Sequence, residues 1–189
     1  MKIVKIKKQN LNKVVQEVVK SIKDGQVIVC PTDTVYGLIG DATNKKAVSK
    51  LFKIKKRPTK KSIPIFVKDI KMAKRFAKIN KKQEGFLRKV WPGAVTAVLK
   101  SKKGKDTTGI RIPNYKLILI LINKLNLPLA ETSANMSGKP ASTKIKEVLK
   151  QFKNQKYQPD LVLDAGNLKK SRPSTVIDLT VLPPKILRR

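Results

Sequence analysis

The sequence predicts one α/β domain over residues 1–189, with a twisted, mostly mixed β-sheet flanked by helices. Three observations predict it. Short β-branched or apolar runs bounded by Gly, Pro or polar clusters recur along the chain. Segments of helical period alternate with several of them. Hydrophobic residues at 40% and charged residues at 30% of 189 positions suit a globular chain long enough for a real core. No internal repeat or low-complexity linker divides it.

The elements follow in order. Leu11–Lys23 carries Leu11, Val14, Val15, Val18, Val19 and Ile22 as one helical stripe, which Gly25 ends. Val27–Cys30 is a strand that Pro31 stops. A helix over Ala47–Ile54 cannot continue past Pro58. Ile63–Val67 is a strand, and helices follow at Ile70–Lys78, with Asp69 as its N-cap, and at Gln83–Trp91. Ala94–Leu99 and Gly109–Ile112 are strands, and Tyr115–Leu125 is a helix. Its Leu117–Ile122 segment is the longest apolar run, too short to span a membrane. Leu127–Thr132 is a strand, Thr143–Phe152 a helix capped by Ser142, and Leu161–Asp164 and Thr175–Leu179 are strands.

The net charge is +32, from 37 Lys and seven Arg against 12 acids. Such a field attracts RNA or DNA at low salt, and a lysine bias over a solvated surface gives the same count. Against so many Lys, the rare Arg residues are informative. Arg57, Arg111, Arg172 and Arg188 fall in or beside loops, where a planar fork suits carboxylate or phosphate; Arg75 and Arg88 lie on helices. The chain has no His, which excludes a Ser-His-Asp triad and any His metal site. Its one Cys, Cys30, sits in an apolar run, so it reads as core and no disulfide framework is possible. Met1–Asn10 alternates Lys with apolar residues and has no signal-peptide h-region, so the expected location is cytoplasmic.

Four loops carry groups that hold anions: Lys55-Lys56-Arg57-Pro58, Gly109-Ile110-Arg111-Ile112-Pro113, Ser133-Ala134-Asn135-Met136-Ser137-Gly138 and Ser174-Thr175-Val176-Ile177-Asp178. In an extended segment Lys55 and Arg57 point to one side and suit a triphosphate, while a solvated charge run is the other reading. Arg111 in an apolar strand needs an anionic partner, from protein or ligand, and twelve acids leave few internal choices. Ser133, Asn135 and Ser137 present donors after a strand, as a decorated turn also does. Pro31-Thr32-Asp33-Thr34-Val35-Tyr36-Gly37-Leu38 adds hydroxyls, and Gly37 admits close backbone approach. Asp and Glu nowhere take the spacing of a metal cage, so any Mg²⁺ is expected to arrive with a nucleotide.

Pro-Thr-Asp-Thr-Val-Tyr-Gly-Leu, Lys-x-Arg-Pro, Trp91-Pro92-Gly93 with Thr96, Gly-Ile-Arg-Ile-Pro, Ser-Ala-Asn-x-Ser-Gly-x-Pro and Ser-Thr-Val-Ile-Asp, in that order, resemble the threonylcarbamoyl-AMP synthase (YrdC-like) family. The resemblance covers about Gly25 to Arg188 and matches the short single-domain form. It implies a nucleotidyltransferase that converts L-threonine, bicarbonate and ATP with Mg²⁺ into threonylcarbamoyl-adenylate and pyrophosphate. A partner threonylcarbamoyl-transferase would then modify the tRNA adenosine beside the anticodon. It further implies that Lys55, Arg57, Ser133 and Asn135 are the tetrad around ATP. Thr59, Thr107, Ala141 and Arg188 fall where the family contacts ATP, and Arg111, Thr32 and Ser174 where it holds threonine. Ser62-Ile63 and Phe66 depart from the family's usual Pro-Leu and His, and Arg172 matches no family role.

Two other readings belong to different classes. A non-catalytic RNA-binding paralogue would use the basic field alone, and the intact Lys-x-Arg and Ser-x-Asn pairs argue against it. A hydrogenase-maturation carbamoyltransferase joins a related domain to modules with Cys pairs and zinc sites, which one Cys disfavours.

Overall fold

Ten strands join in one sheet: β1 (Lys2–Lys5), β2 (Ile28–Cys30), β3 (Gly37–Asp41), β4 (Ile65–Phe66), β5 (Val95–Lys100), β6 (Thr107–Arg111), β7 (Leu129–Ser133), β8 (Leu161–Asp164), β9 (Thr175–Asp178) and β10 (Lys185–Arg188). Among the described residues six α-helices accompany them: α1 (Leu11–Lys23), α2 (Lys45–Lys55), α3 (Ile70–Phe76), α4 (Lys81–Val90), α5 (Lys116–Leu125) and α6 (Ile145–Phe152). These come from a computed structural model that describes residues 1–57, 62–104 and 106–189.

The strand order is β1-β8-β2-β3-β7-β4-β6-β5-β9-β10. Four pairs are parallel (β1 with β8, β8 with β2, β4 with β6, β5 with β9) and the other five antiparallel, so the sheet is mixed, as expected. Alternate residues of the central strands enter opposite layers. Ile28 and Cys30 join a core with Val18, Ile22 and Ile118, beneath α1 and α5. Val27, Val29 and Leu38 join a second core with Leu51, Ile54, Val148 and Phe152, beneath α2 and α6. A strand buried on both faces reads as an unbroken apolar run, which is why β2 was legible. Cys30 is buried there, and desolvation raises its thiol far above the ordinary range.

Three strands lie where none was expected. β3 begins with Gly37 and contains Gly40, residues that read as turn punctuation, yet it is buried throughout between β2 and β7. β1 and β10 are the two edges, four residues each and bounded by Lys or Arg, the composition that keeps a sheet edge from pairing with other chains. The caps divide similarly. Asp69 accepts the N–H of Met72 at 2.6 Å, as expected of an N-cap. Ser142 is not the cap of α6; Lys144 is. Ser142 Oγ instead accepts the Lys144 N–H and donates to Glu147, tightening the turn before the helix.

Candidate functional site

The helix α2 ends where the chain must reverse. Lys56 adopts a left-handed conformation (φ 50°) and its N–H and that of Arg57 close on Lys53 and Phe52. Lys55 and Arg57 therefore flank a helix C-cap, not an extended segment, and their side chains separate. Lys55 turns inward and is buried. Its ammonium donates to the Ser133 carbonyl at 2.7 Å and to Asn135 Oδ1 at 2.8 Å. Ser133 Oγ donates to the same Oδ1 at 2.6 Å. Asn135 Nδ2 is held by the carbonyls of Met136 and Lys139, which fixes the amide. Burial, with Arg57 adding to it, lowers the Lys55 ammonium to about 8.

Arg57 turns the other way, into a cavity of about 230 Å³. One of its terminal nitrogens donates to the Ser62 carbonyl, while its buried Nε has no partner among the described residues. Desolvation and then Arg188 lower its guanidinium from the ordinary value. The cavity lies across the second half of the sheet. Val35 and Thr34 come from the β2–β3 loop, Thr96 and Val98 from β5, Gly109 and Arg111 from β6, Glu131 to Ser133 from β7, Ser174 and Val176 from the β9 region, and Arg188 from β10.

Arg111 has its anionic partner inside the protein. Nη2 lies 2.6 Å from Asp33 Oδ1, Nε donates to the Gly93 carbonyl at 2.8 Å, and Nη1 donates to Thr34 Oγ1 at 3.3 Å. Phe66 lies beneath the guanidinium, 5.5 Å from its ring centre, and this is the packing role of that departure from the family pattern. The hydroxyl directions follow from the chain of contacts. Thr32 Oγ1 accepts the Thr34 N–H and donates to the Val35 carbonyl, so Thr34 Oγ1 donates to Thr32. Thr32 thus stands behind Thr34, and it is Thr34 that faces the cavity. Opposite, Arg188 grips the Ser174 carbonyl through Nε at 3.1 Å and Nη2 at 2.8 Å, and Ser174 Oγ meets Thr96 Oγ1 at 2.9 Å.

The fold thus gathers Arg57, Arg111, Ser133, Ser174 and Arg188 on one cavity, with Lys55 and Asn135 hydrogen-bonded to Ser133 behind it. Thr107 begins β6 and is exposed, on the strand face that Gly109 and Arg111 share. Ala141 is half-buried beside Ser142, outside the cavity wall. Thr59 lies outside the described residues. Arg172 is exposed and does not line the cavity. Arg88 pairs with Glu84 on α4, as a surface residue does.

Two acids of this site escaped the sequence reading. Asp33 carries no role in the Pro31–Leu38 motif, and Glu131 falls inside the Leu127–Thr132 strand. The signal available for both was scarcity: a carboxylate on an apolar strand, or beside one, stands out among only 12 acids.

Comparison with known proteins bears on the family and the fold. The Sua5/YciO/YrdC family model, described as "Telomere recombination", matches residues 20–189. A relative from Methanocaldococcus jannaschii is 36% identical over 186 residues, covering 95% of this chain and 86% of its own. The threonylcarbamoyl-AMP synthase of Pyrococcus abyssi is 34% identical over 176 residues, covering 88% of this chain and 51% of its own, so the chain spans about half of that protein. A crystal structure of P. abyssi Sua5 complexed with L-threonine superposes with a TM-score of 0.88 at 31% identity, over 99% of this chain and 56% of that one.

Proposed function

The chain belongs to the Sua5/YciO/YrdC family, and we propose that it is an L-threonylcarbamoyladenylate synthase, a nucleotidyltransferase acting on L-threonine, bicarbonate and ATP. The observation that carries this reading is the excess of cation in a small cavity. Arg57, Arg111 and Arg188 line about 230 Å³, and the buried Nε of Arg57 has no partner among the described residues. An anionic group on the ligand would supply the acceptors that such a wall lacks. The volume is below the ~300–1,000 Å³ of drug-sized pockets, which suits a small amino acid with the nucleotide extending outward past Arg57.

In this reading Arg111 faces the threonine carboxylate, with Thr34 and Ser174 beside it, and Arg188 faces the ATP. Lys55 and Arg57 stabilise charge on the triphosphate, and Ser133 and Asn135 orient it. The carbamate oxygen attacks the α-phosphorus in line and pyrophosphate leaves, a step that needs positioning and preorganised cations more than a strong base. Mg²⁺ enters as part of the ATP substrate, held by phosphate oxygens; no group of three His, Cys, Asp or Glu among the described residues forms a cage for it. A transferase partner that delivers the product to tRNA in the cytoplasm completes the proposal. The net charge of +32 favours encounter with RNA, and no helix among the described residues is long and apolar enough to cross a membrane.

The test is pyrophosphate release from MgATP with L-threonine and bicarbonate each supplied or omitted. Release that needs both is the expected result. No release, together with tight and salt-sensitive RNA binding, would replace this reading with the non-catalytic paralogue.

A further inference from the structure

Among the described residues Glu131 is the one acid on the cavity wall. It stands on β7 two residues before Ser133, on the same strand face. Its backbone N–H donates to the Pro64 carbonyl at 2.9 Å, yet no hydrogen bond or ion pair engages its carboxylate among the described residues. This is unexpected beside so many cations. The side-chain contacts of these cations go to other groups: Arg111 to Asp33, Lys55 to Ser133 and Asn135, Arg188 to Ser174, and Arg57 through one terminal nitrogen to Ser62. Room for the carboxylate is made by Gly37 of β3, which pairs with Ser133 of β7; a Cβ there would lie 3.2 Å from Glu131 Oε1. Burial raises this carboxyl above the usual carboxylate range, against the opposing pull of Arg111, Arg188 and Lys55.

We propose that Glu131 receives the α-ammonium of the threonine substrate and accepts the proton that must leave before that nitrogen attacks bicarbonate. The assignment rests on the synthase reading. A zwitterionic amino acid brings an anion and a cation on one carbon, and a wall of Arg and hydroxyls alone would repel the second. The proton count closes. One N–H bond breaks and its proton goes to Glu131 Oε. The freed lone pair forms the N–C bond with bicarbonate. The second amine proton leaves with a bicarbonate oxygen as water, giving the carbamate. Glu131 then returns its proton to solvent.

The experiment compares the wild-type protein with Glu131→Gln, which keeps size and loses the acceptor charge. Threonine- and bicarbonate-dependent pyrophosphate release is expected to fall about 10²-fold, the scale of positioned proton transfer. The remaining rate should climb with pH as free amine becomes available, about tenfold per unit, where the wild type is flatter. The series is kept below about pH 8, where Lys55 stays charged; Arg111 on β6, Arg188 on β10, and Asp33 in the β2–β3 loop are the other charges facing the group. An active wild type with a Glu131→Gln variant of equal rate and identical pH profile overturns the assignment alone. A wild type without dependent release overturns the synthase reading instead. A binding measurement on the wild type needs no variant: the threonine analogue with hydroxyl in place of ammonium should bind at least about tenfold more weakly, and equal affinity overturns the proposal.

Discussion

Lys55 Nζ lies 2.8 Å from Asn135 Oδ1, 80 residues further along the chain, and both side chains are buried. That oxygen also accepts from Ser133 Oγ, so one amide oxygen ties the helix end of α2 to the loop after β7. Asn135→Ala leaves a buried ammonium one acceptor short, and bonds to charged groups contribute about 1.5–3 kcal/mol. Urea unfolding should show a loss of about 2 kcal/mol, and adenylate formation should fall about 10²-fold. Unchanged stability would mean that the amide does not anchor Lys55.

The lowered Lys55 ammonium gives ATP binding a pH dependence of definite sign. Without ATP the group loses its proton as pH passes about 8. A bound triphosphate favours the charged form, so binding above that pH takes up a proton. The Kd for ATP should be flat below about 8 and weaken about tenfold per unit above it. Lys55→Arg should remove the break, since guanidinium keeps its charge. Stability without ATP runs the other way. Unfolded Lys55 holds its proton to its ordinary value of 10.5, so between about 8 and 10.5 the unfolded state binds more protons and this group's contribution to unfolding free energy rises with pH. Calorimetric titration with ATP, with proton uptake read from buffers of different ionisation enthalpy, checks the first, and urea unfolding between about pH 8 and 10.5 checks the second.

Asp33 and Arg111 are a nearly buried pair, 12% and 2% exposed, and the acid also accepts the Asn114 N–H. Asp33→Asn keeps the shape and removes the counter-charge. The uncompensated guanidinium should cost about 3 kcal/mol in denaturant unfolding. The same change leaves Arg111 with more charge to offer a ligand carboxylate. Threonine affinity should therefore hold or tighten in the folded variant while stability drops. Both falling together would mean that Asp33 serves mainly to orient Arg111.

The parts of this fold that the sequence revealed were those with one dominant local signal. The α1 stripe fixed its helix to the residue, and the apolar runs at β2 and β8 marked strands buried on both faces. β3 stayed hidden because Gly37 and Gly40 read as turn punctuation, while the tight approach of Glu131 to Gly37 is something only the fold supplies. The edge strands β1 and β10 stayed hidden because a charged, exposed edge has little hydrophobic pattern to display. At the site, order along the chain revealed which loops converge. Pairings across long separations, Asp33 with Arg111 or Arg188 with Ser174, are properties of the closed sheet. Thr32 illustrates the limit: motif position named it, and hydrogen-bond direction handed the cavity to Thr34.

Arg188 tests whether the edge strand serves the site or the fold. Every residue of β10 is exposed, so the strand contributes little apolar burial. Its Arg nevertheless places a planar fork on the Ser174 carbonyl and touches Ser174 Oγ at 3.1 Å. It also lowers the Arg57 guanidinium across the cavity, a like-charge strain that an anionic ligand relieves. Arg188→Lys keeps a cation and loses the fork. The expected result is a KM for ATP and threonine raised about tenfold, the effect of one misaligned charge-assisted contact. The melting temperature should stay within about 2 °C of the wild type, the range for an exposed substitution in a chain of this size. A fall of more than about 5 °C would assign the clamp to holding β9 and β10 together, and the kinetic loss would then follow from a loosened edge.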